Sequence, residues 1–102
     1  MTAAPGRPSV TDLDDAVELL RALASGVRMS IVIELRDGPL FVNELVSRLG
    51  VAQPLVSQHL RILRAAGVVR SERRERSIAY ELVDDHLAHI VLDAVTHVHE
   101  KH

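Results

Sequence analysis

The sequence predicts a mainly α domain with one small β-hairpin, on three observations. Apolar residues recur at helical spacing in five segments. Two short β-type runs lie side by side between residues 68 and 83, and glycine, proline and aspartate mark the boundaries between segments. A chain of 102 residues is one domain, and 47% hydrophobic with 25% charged residues is the composition of a soluble globular one. A chain this short buries a thin core, so a partner subunit is expected to support it.

Residues 1–10, with Pro5, Gly6 and Pro8, read as a flexible tail, and residues 11–102 as the folded domain. Thr11 and Asp14 form a capping box for a first helix that runs to about Ala24, with Leu13, Ala16, Val17, Leu20 and Leu23 at helical spacing. A second helix spans Val27 to about Arg36 and stops at Asp37-Gly38-Pro39. The third runs from about Phe41 to Leu49, with Gly50 as its left-handed stop. The fourth, from about Gln53 to Ala66, is closed by Gly67 and turns Val56, Leu60 and Leu63 to the core at i, i+4 and i+7. Two strands follow, Val68 to about Arg73 and Ser77 to Val83, the second alternating Ile78, Tyr80 and Leu82. Glu75 sits at the hairpin tip, where a positive φ strains any residue with a Cβ, so another turn type is expected there. The last helix occupies about Asp85 to Glu100.

Gly50-Val51-Ala52 joins the third and fourth helices by a three-residue turn, the form of a helix-turn-helix. With the hairpin as a wing, the fold is a winged helix-turn-helix: three helices, a recognition helix, the wing and a final helix. Composition excludes several other classes. There is no cysteine, hence no disulfide framework, zinc finger, thiol catalyst or thiolate metal site. Phe41 and Tyr80 are the only aromatics, too few for a platform that stacks single-stranded bases. The opening MTAAPGRPSV has no apolar leader core, and no apolar run reaches the ~18 residues of a membrane helix. A cytoplasmic location and no membrane partner are expected.

The formal charge of −2 hides a division along the chain. Residues 51–80 carry six arginines (Arg61, Arg64, Arg70, Arg73, Arg74, Arg76) against Glu72 and Glu75, while residues 81–102 carry Lys101 against five acids. Arginine's planar fork suits phosphates and guanine edges. Gln53, Ser57, Gln58, Arg61 and Arg64 lie on the free side of the fourth helix, where glutamine pairs with adenine and arginine with guanine or phosphate. Arg73, Arg74 and Arg76 follow at the wing tip, placed for backbone contact. An ordinary solvated face is the plain alternative. The direct succession of a basic recognition face and a basic hairpin tip favours double-stranded DNA.

Five of the six histidines fall in the last 22 residues. His97 and Glu100, at i and i+3, share a helix face and can hold one metal ion. His86 lies eleven residues before His97 on the same face, about 16 Å away along the axis, too far for one ion within one chain. Two such helices packed antiparallel across a two-fold axis bring Asp84 and His86 of one subunit to His97 and Glu100 of the other. That gives two identical sites of two imidazoles and two carboxylates, suited to tetrahedral zinc, with cobalt a substitute. The opposite face, Leu87, Ile90, Val91, Ala94, Val95 and Val98, is apolar and can bury against the body and the partner helix. Taken singly, Asp84 reads as a helix cap and the rest as solvated polars, but that gives no reason for the histidine count. His89, His99 and His102 are left over, as secondary groups, further ligands for a six-coordinate metal, or surface residues. His59, beside the recognition face, suits hydrogen bonding or packing.

With those residues in view, the chain resembles the ArsR/SmtB family of winged-helix repressors over about Asp14 to Glu100. The resemblance rests on LRALASGVRMSIVIEL (Leu20 to Leu35), VAQPLVSQHLRILRAAGVV (Val51 to Val69) and the wing ending at Tyr80. Its most specific match is Asp84-x-His86, ten residues, His97, two residues, Glu100, the family's last-helix zinc signature in the form ending with Glu. Among subgroups it is most similar to zinc-responsive SmtB-type regulators of actinobacteria. Many members carry a cysteine pair in the third helix, where this chain has Phe41-Val42-Asn43-Glu44-Leu45, so thiolate-dependent sensing is excluded. The resemblance implies a homodimer that binds an operator inverted repeat when metal-free and releases it on binding zinc, derepressing metal-homeostasis genes. Ligand histidines bind metal only when neutral, so sensing weakens at acid pH. No enzymatic activity and no small organic substrate are expected, since four protein ligands close the site. The alternatives are nickel or cobalt sensing through the extra histidines, and a metal-buffering protein without specific DNA binding.

Overall fold

The computed structural model describes residues 7–100. Its elements are α1 (Val10–Leu23), α2 (Gly26–Leu35), β1 (Leu40–Phe41), α3 (Val42–Leu49), α4 (Gln53–Ala65), β2 (Val69–Arg74), β3 (Ser77–Leu82) and α5 (His86–Glu100). Every expected helix and both strands of the hairpin are present. Residues 1–6 of the expected tail, and Lys101 and His102 at the other end, lie outside the described residues.

Two elements differ from expectation. The cap of α1 is Ser9, whose hydroxyl accepts from the Asp12 amide at 3.1 Å while the Asp12 carboxylate accepts from the Ser9 amide at 3.1 Å. Thr11 and Asp14 form the same motif two residues later. The earlier box prevails because each residue added to a nucleated helix gains a hydrogen bond. A third strand, β1, pairs antiparallel with β3, Leu40 opposite Tyr80 and Phe41 opposite Ala79, so the sheet order is β1-β3-β2. Two residues after a proline are too few to show alternation, which is why the sequence gives no sign of it.

The core is an apolar cluster shared by α2, α3, α4, the sheet and the first half of α5. Ile31, Val32, Leu45, Val56, Leu60, Leu63 and Val68 are fully buried, and no polar side chain is buried among the described residues. α1 contributes only its C-terminal end. Ala22 and Leu23 are buried and Leu19 packs against the cluster, whereas Leu13, Val17 and Leu20 are 45%, 43% and 54% exposed. Those three fall on the side of the helix away from Leu19 and Ala22, so α1 has one apolar face in the core and another in solvent. The protomer is flat, 50 × 38 × 21 Å. Its radius of gyration of 15.4 Å exceeds the ~13 Å of a compact domain this size.

Candidate nucleic-acid interface and metal-ligating helix

α3 and α4 are joined as the spacing predicts. Gly50 ends α3 at φ +66°, a conformation that costs a side-chain-bearing residue about 1–2 kcal/mol, and its amide bonds to the Val46 carbonyl at 2.9 Å. The Ala52 carbonyl then accepts from the Leu55 and Val56 amides at 3.0 and 3.1 Å and starts α4, with Pro54 in its first turn, where a missing amide is harmless. Burial of Val56, Leu60 and Leu63 sets the rotation of the helix, each side chain contributing about 1.5–3 kcal/mol. That rotation leaves Gln53, Gln58, Arg61 and Arg64 exposed and Ser57 half-buried at the helix surface.

The hairpin extends beyond the body as a wing, with Arg74 opposite Ser77 and Glu75-Arg76 as its two-residue turn. Arg73, Arg74 and Arg76 are all exposed. They are not equivalent. The Arg74 guanidinium donates twice to the Glu72 carboxylate, at 3.2 and 3.3 Å, and Arg70 pairs with Glu81 at 3.4 Å, while Arg73 and Arg76 have no carboxylate partner among the described residues. An exposed pair such as Arg74–Glu72 is worth under about 1 kcal/mol, so it yields readily to a phosphate. Glu75 takes φ +56° after all. A positive φ at the first of two turn residues is a feature of the primed hairpin turns, whose fit to the right-handed strand twist outweighs the strain at one residue.

His59 is half-buried on the flank of α4 facing α2, where its Nδ1 accepts from Arg28 Nη1 at 3.1 Å. The Arg28 Nε donates to the Ala22 carbonyl at 2.6 Å, and its backbone amide to Ser25 Oγ at 3.3 Å. Hydrogen bonding is thus one of the two roles the sequence offers for His59. Arg28 itself is legible only as one polar position in an apolar helix.

On α5, Asp84 acts as a cap, its Oδ1 accepting from the His86 amide at 2.9 Å with His86 Nδ1 3.5 Å away. One carboxylate oxygen is left over from that bond. His86, His89, Asp93, His97 and Glu100 are all exposed and fall on one stripe of the helix, with His86 and His97 about 16 Å apart along it. Among the described residues no three histidine, aspartate or glutamate side chains converge on one point within the protomer. The apolar face of α5 divides in two. Leu87, Ala88 and Val91 are buried in the body, but Ala94 and Val98 are exposed and line, with Met29, Val95 and His99, an open groove of about 230 Å³. No described helix is long and apolar enough to cross a membrane.

A family profile described as "Bacterial regulatory protein, arsR family" matches residues 25–71, from the α2 cap to the start of β2. The HTH-type transcriptional repressor SmtB of Mycobacterium tuberculosis is 59% identical over 96 residues, covering 94% of this chain and 71% of that protein. Among solved structures, HlyU from Vibrio cholerae superposes with a TM-score of 0.76 at 34% identity, over 81% of this chain and 90% of that one. A homodimeric winged helix-turn-helix DNA-binding domain from Mycobacterium bovis gives a TM-score of 0.79 at 22% identity, over 96% and 93%, a likeness of fold.

Proposed function

The chain belongs to the ArsR family of bacterial regulatory proteins, and from that premise we propose that it is a zinc-responsive repressor whose metal-free homodimer holds an operator inverted repeat. It is a transcriptional regulator and not an enzyme, as its fold and its SmtB relative indicate. The carrying observation is the placement of Asp84 and His86 at one end of an exposed helix stripe and His97 and Glu100 at the other.

Dimerisation is supported by what the protomer leaves uncovered: the outer face of α1 and the far end of α5. Two α5 helices packed antiparallel about a two-fold axis would bury Ala94, Val95 and Val98. Ala94 is three residues from His97 and borders the exposed stripe, and antiparallel pairing along that edge would bring Asp84 and His86 of one subunit beside His97 and Glu100 of the other, two imidazoles and two carboxylates fitting a tetrahedral zinc site with cobalt as substitute. Bound there, zinc supplies a cross-link between the subunits. Gln53, Ser57, Gln58, Arg61 and Arg64 enter the major groove, and Arg73, Arg74 and Arg76 meet the backbone on either side. Both recognition helices dock only when the subunits place them about one DNA turn apart, so four residues that fix the angle between the α5 helices control operator affinity.

The test is fluorescence anisotropy of the dimer on a duplex from the region upstream of its own gene, titrated with zinc, cobalt and nickel. Metal is expected to weaken binding by about 5–150-fold. His97→Ala should bind DNA as the wild type does and lose that response. If His97→Ala still lets go with zinc, the ligand set is wrong. If the metal-free protein shows no salt-dependent binding at low salt, the repressor reading gives way to metal buffering. His89 and Asp93 share the exposed stripe, which supports a second reading in which a six-coordinate site takes nickel or cobalt. The absorption spectrum of the cobalt-loaded dimer separates four from six ligands.

A further inference from the structure

The end of α1 leaves three consecutive carbonyls without helical partners, and each finds a different donor. The Arg21 oxygen accepts from the Ala24 amide at 3.2 Å, the Leu23 oxygen from the Ser25 amide at 2.8 Å, and the Ala22 oxygen from the Arg28 side chain at 2.6 Å. Arg28 is half-buried and has no carboxylate partner among the described residues. Its charge is balanced by the negative end of the α1 dipole. The other arm of the same guanidinium crosses to α4 and meets His59 Nδ1 at 3.1 Å. Arginine has donors only, so in this contact Nδ1 is the acceptor.

Resting on the DNA-binding reading above, we infer that Arg28 and His59 are positioning residues for operator binding, tying the recognition helix α4 through one guanidinium to the end of α1. Neither belongs to the base-reading set or to the metal-ligand set. α1 carries its uncovered apolar face on the side away from the core, so the helix that meets a second subunit is also the helix to which α4 is tied. Apolar packing through Val56, Leu60 and Leu63 sets the rotation of α4 by burying area, a non-directional effect. A directed hydrogen bond from a charged donor on its flank adds a fixed distance and angle between α4 and the end of α1. The link therefore defines where Gln53, Ser57 and Arg61 stand relative to the dimer axis. Of the other charged groups on elements packed against α4, Arg48 of α3 pairs with Glu34, Glu44 accepts from the Phe41 amide, and Arg70 and Arg74 of β2 pair with Glu81 and Glu72. Glu18 and Arg21 of α1, 3.5 Å apart, pair with each other along the neighbouring groove.

Three variants of the full chain test this on a duplex from the region upstream of its own gene, without metal. His59→Phe keeps the ring and removes the acceptor, Arg28→Lys keeps the charge and replaces the rigid fork by a single ammonium nitrogen, and His59→Asn places an amide oxygen where Nδ1 stands. His59→Phe and Arg28→Lys are expected to weaken specific binding about tenfold, and His59→Asn to stay within about threefold of wild type. Binding to a scrambled duplex should be unchanged in all three. Imidazole ¹⁵N shifts should report His59 as neutral with Nδ1 unprotonated, a readout that stands even where a variant fails to fold. The inference is overturned if folded His59→Phe binds the operator as tightly as wild type. It is equally overturned if folded His59→Asn is as weak as His59→Phe, or if the proton is found on Nδ1. Failure of the wild-type dimer to bind duplex DNA overturns the repressor reading as well, which separates the two cases.

Discussion

Substituting Leu20 by alanine should separate the two faces of α1. Leu20 is 54% exposed in the protomer, so about half of the ~1.5–3 kcal/mol available from burying a leucine is still to be gained against a partner. That is about 1 kcal/mol per copy, and a two-fold interface uses each residue twice, so the loss is about 2 kcal/mol per dimer, or roughly thirtyfold in the dimer dissociation constant. Leu23, three residues on and 2% exposed, is the internal control. Its replacement by alanine empties part of the core and should cost about 2–5 kcal/mol of folding stability. Sedimentation equilibrium reads the first effect, and urea denaturation at two protein concentrations reads the second. Leu20→Ala should shift the denaturation midpoint where the protein concentration keeps the wild type dimeric and leave it unchanged where both proteins are monomeric, because its loss is in assembly. A dimer constant for Leu20→Ala within about threefold of wild type would refute the assignment of this face to the subunit interface.

Three further outcomes follow from backbone and charge. Glu75→Gly should stabilise the protein by about 0.5–1 kcal/mol, since relief of the φ +56° strain exceeds the added chain entropy of glycine; a rise of several degrees in Tm checks it. Gly50→Ala should do the reverse, costing about 1–2 kcal/mol in urea denaturation, for conformational reasons alone, because an added Cβ meets nothing within 4 Å. Arg73→Ala or Arg76→Ala should lower the slope of log affinity against log salt by about 1.8 per dimer, with Arg74→Ala giving less because Glu72 already competes for it.

Much of the fold is legible in the sequence because its signals are local. Helical spacing in Val56, Leu60 and Leu63, the left-handed stop at Gly50 and the alternation in Ile78, Tyr80 and Leu82 each act within a few residues. What the sequence leaves unread depends on tertiary choice. Two overlapping capping boxes at Ser9 and Thr11 are chemically equivalent, and only the chain's preference for a longer helix selects between them. Leu13, Val17 and Leu20 share the periodicity of a core face, yet the core takes Leu19, Ala22 and Leu23, since periodicity says that a face is apolar and not what covers it. The Glu75 turn departs from expectation for a related reason: the fit of a two-residue turn to strand twist outweighs one residue's strain. For the candidate metal site, spacing alone states that His86 and His97 cannot serve one ion in one chain. The Arg28–His59 bond spans 31 positions and has no sequence signal at all.

The interior of the protomer bears on where a signal can act. One apolar cluster runs through α2, α4, the sheet and the first half of α5, with no buried polar side chain among the described residues. Close-packed apolar interiors resist graded deformation, and changes of state are taken up at interfaces, by rigid rotation of one body against another. α5 fits that division of labour. Leu87, Ala88 and Val91 fasten its first half to the core, so it cannot shift without the body that carries α4. Its second half, from Ala94 to Val98, is free to pack on another subunit. Donors at the two ends of such a helix sense the angle between subunits rather than any change inside one. α2, which packs against both α5 and α4, carries that angle to Arg61 and Arg64 as a displacement of the whole reading head. Weakened operator binding on the proposed reading then needs no melting of α4 and no rearranged core, only two rigid protomers held at a spacing the DNA does not match.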